Sequence, residues 1–87
     1  MAVQFYIVKY INEYPISRKI IKYLMKHKAA TIYQIAEGIR EKPSQFEEDL
    51  SVLQDYEIVS LASEEVYIIT GFGHEVATII EKSFVAI

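Results

Sequence analysis

The chain has 87 residues, no cysteine and a formal net charge of −3, with 52% apolar residues including seven Tyr and four Phe. That length holds one domain and one core, and the lack of cysteine excludes a disulfide framework, a thiolate metal site and a cysteine nucleophile. No apolar run approaches the roughly 18 residues that span a bilayer, and the N-terminus lacks the ordered regions of a secretory signal, so a cytoplasmic location without membrane contact is expected.

The first element, residues 3–14, places Val3, Tyr6, Ile7, Tyr10, Ile11 and Tyr14 on one helical stripe opposite Lys9, Asn12 and Glu13. Phe5, Ile7 and Ile11 also suit a strand face, but a stripe sustained for nearly three turns favours helix. Pro15 ends it, because a residue before proline is pushed out of the α region. Ser17 is the expected N-cap of a second helix, residues 17–27, with Ile20, Ile21, Leu24 and Met25 inward. Thr31 caps a third, running from Ile32 to about Arg40 and burying Ile32, Ile35, Ala36 and Ile39. Ser44 with Glu47 reads as a capping box for a fourth helix that ends near Tyr56 and buries Phe46, Leu50, Val52 and Leu53. Ile58 to Leu61 and Val66 to Ile69 are β-branched runs around a polar tip, a hairpin over residues 58–69. Thr70 caps a last helix, residues 71–86, carrying Val76, Ile79, Ile80 and Phe84. The chain contains no repeat, linker or low-complexity segment, so residues 1–87 form one unit.

This order resembles the winged helix-turn-helix regulators of the MarR, ArsR and PadR type, especially small archaeal and archaeal-virus versions, over about residues 16–82. Three stretches carry the resemblance: Ser17-Arg18-Lys19-Ile20-Ile21-Lys22-Tyr23-Leu24, Thr31-Ile32-Tyr33-Gln34-Ile35-Ala36, and Ile69-Thr70-Gly71-Phe72-Gly73-His74-Glu75. It implies an α+β, mostly helical fold: a helix-turn-helix over residues 31–56, a two-stranded hairpin wing, and extra N- and C-terminal helices. It further implies a homodimeric, DNA-binding transcriptional regulator. No nucleophile, base and orienting triad can be assembled from the residues, so neither an enzyme nor a cofactor is expected. Two departures stand out. Glu57 occupies the place where the family usually has a glycine before the first wing strand. The recognition helix and wing tip, normally basic, carry Glu47, Glu48, Asp49, Glu64 and Glu65.

Charge is divided along the chain. Met1 to Lys42 holds eight cations and three anions, whereas Pro43 to Ile87 holds one cation and nine anions. Phosphate neutralisation by Lys and Arg dominates duplex affinity, so an acidic reading helix is repelled unless its neighbours compensate. Arg40 and Lys42, in the turn before that helix, are placed to reach a flanking phosphate. Ser44 and Gln45 sit at its N-terminus, where backbone N–H groups favour an anion, and Gln45 suits an adenine edge. Arg18, Lys22 and Lys26 form a basic stripe that is either a solvated face, a phosphate track in which Arg18 and Lys22 aid binding, or a dock for another copy's acidic half. Glutamates can accept from cytosine, and an acidic run near a helix N-terminus is also favourable to the helix itself.

His27 and His74 lack spaced carboxylate or thiolate partners, so no metal site is expected. Gly71-Phe72-Gly73 lacks the continuation of a phosphate loop and reads as a tight strand-to-helix turn. Tyr6, Tyr10, Tyr14 and Phe84 either complete the core or form the interface of a homodimer. The alternative to DNA binding is an interaction module whose acidic fourth helix and hairpin dock a basic protein. The scarcity of Asn (Asn12 alone) with abundant Ile, Tyr, Glu and Lys is a bias typical of hyperthermophile proteins.

Overall fold

The computed structural model describes the backbone of residues 2–85 and the side chains of residues 6–81. Its order is α1 (Ala2–Glu13), α2 (Pro15–His27), β1 (Ala29–Thr31), α3 (Ile32–Ile39), α4 (Pro43–Asp55), β2 (Val59–Ser63), β3 (Val66–Ile69) and α5 (Gly71–Val85). The fold is α+β and mostly helical, with one small antiparallel sheet in the order β1-β3-β2. Helix α1 packs on α2 and α5, and α2 also touches α3, α4, α5 and the sheet, which makes it the central helix.

The N-terminal segment is a helix, as its periodicity favours. Its stripe divides in two: Ile7 and Ile11 enter the core with Val8, while Tyr6 is 74% exposed. Tyr14 leaves the α region (φ −123°, ψ 91°) and becomes the N-cap of α2. Here the expectation for Ser17 is corrected. Proline lacks the N–H that a first turn cannot satisfy and has a helical φ already set, so Pro15 starts the helix two residues early. Ser17, now inside the first turn, is fully buried and its Oγ donates to Asp49 Oδ1 of α4 at 3.1 Å.

Strand β1 is an addition to the sequence reading. Ala29-Ala30-Thr31 is too short for periodicity and pairs with β3 as Ala29↔Ile68, Ala30↔Tyr67 and Thr31↔Val66. The expected two-stranded hairpin is therefore part of a three-stranded sheet. Thr31 also caps α3 as expected, and Gln34 completes the box: Gln34 N–H donates to Thr31 Oγ1 at 3.2 Å and Thr31 N–H to Gln34 Oε1 at 2.9 Å.

The Ser44–Glu47 capping box is not formed. Pro43 takes the first helical position, Lys42 becomes the N-cap without a side-chain hydrogen bond, and Ser44 lies one residue inside the helix. At the other end Glu57 adopts the left-handed conformation (φ 62°) that a glycine would take easily. Two reverse bonds, Glu57 N–H to Gln54 O at 2.9 Å and Ile58 N–H to Leu53 O at 3.0 Å, complete a Schellman termination around it. The helix thus ends in a Schellman motif with glutamate where glycine is usual.

The hairpin turns at Glu64-Glu65, with Glu65 at φ 68°, and the ladder slips between Leu61 and Ser63. Thr70 caps α5 by accepting from Gly73 N–H at 2.9 Å, and its own hydroxyl donates to the Glu57 carbonyl. Gly71-Phe72-Gly73 is thus the first turn of α5 itself rather than a separate turn, and no glycine has positive φ. Gly73 is required for closeness instead: a Cβ there would lie 2.3 Å from the Ile58 carbonyl oxygen. Val76, Ala77 and Ile80 carry α5 into the core, and residue 86 lies outside the described residues.

Candidate nucleic-acid interface

Residues 40–45 join α3 to α4. Arg40 ends α3 in the left-handed region (φ 58°, ψ 43°), and its backbone N–H closes on Ala36 O. Arg40, Lys42, Ser44 and Gln45 are all exposed. The N-terminus of α4 is less open to an anion than the sequence suggests. Pro43 has no N–H, and the Gln45 N–H already donates to Lys42 O at 2.8 Å. What remains at this corner is side-chain charge with the Gln45 amide beside it.

The basic residues of α2 are divided between two concavities. Arg18 lines a mostly apolar groove of about 640 Å³ against α5, with Pro15, Lys19, Ile21, Lys22, Met25, Ala77, Ile80 and Glu81. Lys19 and Lys22 also belong to a second cleft, of about 410 Å³, between α2 and α3, where Tyr23, Lys26, His27, Gly38, Ile39 and Arg40 complete the lining. The turn is tied to this side of α2, because Lys19 Nζ lies 3.4 Å from Glu41 Oε2. Arg40 therefore joins the α2 cations across space rather than along the chain. Lys22, Lys26 and Arg40 have no carboxylate partner among the described residues. The Tyr23 ring stacks on His27 with centroids 4.2 Å apart, a contact that the separate histidines gave no sign of.

Most of the other acidic residues lie on α4 and the hairpin. Glu47, Glu48 and Asp55 are exposed on α4, and Glu64 and Glu65 are exposed at the hairpin turn. Asp49 is set apart from the acidic run, because it is half-buried and accepts from Ser17. Near it stands an aromatic group. Tyr10 lies 4.5 Å from Tyr14 and 5.7 Å from Tyr56 between ring centroids. Burial raises the pKa of the Tyr10 hydroxyl above its ordinary 10.0. Hydrogen bonding with Ser17 opposes this, while Asp49, Tyr14 and Tyr56 reinforce it. Of the residues expected at a dimer interface, Tyr10 is thus engaged within its own chain, Tyr6 and Tyr14 are exposed, and the Phe84 side chain lies outside the described residues.

No helix among the described residues is long and apolar enough to cross a membrane. No protein-family model matches the chain, and no curated protein matches it either.

Proposed function

We propose that this chain is a winged helix-turn-helix protein that binds duplex DNA and regulates transcription as a homodimer. The order α2-β1-α3-α4-β2-β3 with sheet order β1-β3-β2 supports the winged-helix reading. The observation that carries DNA binding is the exposed corner at residues 40–45, where Arg40 shares a cleft with the lysines of α2 and Lys42 is exposed two residues on. In this reading Arg40 and Lys42 hold phosphates flanking the groove, Lys22 and Arg18 extend the track along α2, and Ser44 and Gln45 face the base edges. Because the outer face of α4 is acidic, affinity rests on few cations and falls only gently with salt.

A second reading is favoured by the exposed set Glu47, Glu48, Asp55, Glu64 and Glu65: the same fold docks a basic protein through α4 and the hairpin. A salt titration of fluorescence anisotropy on random duplex DNA separates the two. Each phosphate contact contributes about −0.9 to the slope of log K against log salt, so Arg40→Ala with Lys42→Ala should weaken binding and flatten the slope by up to about 2. If the wild type fails to bind duplex even at low salt while Glu47→Gln with Glu48→Gln gains binding, the acidic face excludes DNA and the protein-docking reading stands.

A further inference from the structure

We propose that the cleft between α2 and α3 is a binding site for a group of adjacent phosphates, held by Lys19, Lys22, Lys26 and Arg40. Four cations line one concavity of about 410 Å³ in a chain whose net charge is −3. Like charges gathered around one open cleft repel each other and raise a positive potential where an anion would sit. Glu41, whose Oε2 lies 3.4 Å from Lys19 Nζ, moderates this. The volume is within the range of small-ligand sites.

Two further observations belong to the same cleft. Arg40, the C-cap of α3, occupies a left-handed position that glycine or asparagine would fill with less strain, and it lines the cleft. Gly38 lets α3 lie directly against the Tyr23 ring: a Cβ at 38 would be 2.1 Å from Tyr23 Cε1. Tyr23, with His27 stacked on it, lines the cleft together with the four cations. Arginine forks match phosphate oxygens bidentately and lysines add point charges, so the chemistry suits a di- or triphosphate better than a lone carboxylate. The phosphates come either from a free nucleotide or from a nucleic-acid backbone.

The site does not depend on the DNA reading, and one experiment separates them. Sodium tripolyphosphate is titrated calorimetrically into the full chain at low ionic strength, followed by ATP and by random duplex DNA with and without saturating tripolyphosphate. Saturable 1:1 binding is expected, weakened about tenfold by Lys22→Ala and by Arg40→Gly, and unchanged by Lys9→Ala on α1. Arg40→Gly removes the backbone strain, so a loss of binding in a variant at least as thermally stable as wild type cannot be put down to misfolding. Competition between tripolyphosphate and duplex identifies the backbone as the source, and simultaneous binding identifies a free phosphate ligand. Absence of saturable binding, or binding unaffected by Lys22→Ala with Arg40→Gly, overturns the proposal. Duplex binding that survives that result leaves the DNA reading intact, and tripolyphosphate binding without duplex binding removes the DNA reading alone.

Discussion

Replacing Gly73 by alanine tests the junction that fixes the hairpin against the last helix. The new Cβ would lie 2.3 Å from the Ile58 carbonyl oxygen and 2.7 Å from Ile69 Cγ1, where ordinary contacts begin near 3.4 Å. The obstacle is backbone, so no rotamer change relieves it, and the start of α5 must move away from β2 by about an ångström. Overpacking of this kind costs about 1–3 kcal/mol. The shift also strains the Thr70 cap, whose Oγ1 accepts from Gly73 N–H at 2.9 Å, and a lost cap costs about 1 kcal/mol. Alanine's better helix propensity returns about 1 kcal/mol. The net is about 2 kcal/mol, or roughly 8–16 °C in Tm for a domain of this size. Gly71→Ala is the control: its position is exposed with nothing within 4 Å of the new Cβ, so it should be neutral or stabilise by up to about 1 kcal/mol. Thermal unfolding followed by circular dichroism measures both. A Gly73→Ala midpoint within about 3 °C of wild type would refute the close-approach reasoning.

Thr31→Ala, which removes an intact capping box, should cost about 0.5–2 kcal/mol in urea unfolding, whereas Ser44→Ala should stay within about 0.5 kcal/mol; the reverse ranking would mean that α4 rather than α3 is capped by its side chain. The raised pKa of Tyr10 means that the folded protein keeps a proton which the unfolded chain loses near pH 10.0. Its contribution is fully present below that pH and is lost as pH rises further. Tyr10→Phe should therefore show a shallower fall of Tm above pH 10 than wild type, and an identical pH profile would remove Tyr10 from the account. Among the described residues Tyr6 is the most exposed aromatic side chain on α1, at 74%. If α1 forms the proposed homodimer interface, sedimentation at tens of micromolar should give a dimer for wild type and a monomer for Tyr6→Glu, since a carboxylate buried without a partner is costly. A wild-type monomer at that concentration would end the homodimer proposal.

The number and order of the helices, the hairpin and most of the core were legible in the sequence, because each rests on local information. Ile20, Ile21 and Leu24 repeat at helical spacing, Thr31 and Thr70 are side chains suited to capping, and β-branched runs flank Glu64-Glu65. The helix starts at Ser17 and Ser44 were misplaced for one shared reason: a proline two residues, or one residue, upstream already satisfied the first turn. Strand β1 carries no period of its own and exists because β3 offers it an edge. The left-handed Glu57 likewise holds a conformation that its own side chain disfavours, secured by the bonds to Gln54 and Leu53. The candidate site divides along the same line. That residues 18–28 are basic and residues 47–49 acidic is a property of the chain. That Arg40 shares a cleft with Lys19, Lys22 and Lys26, and that Asp49 turns inward to Ser17, depends on how α2 crosses α3 and α4. Charge composition is written residue by residue, whereas a concave surface of one sign exists only after distant segments have packed.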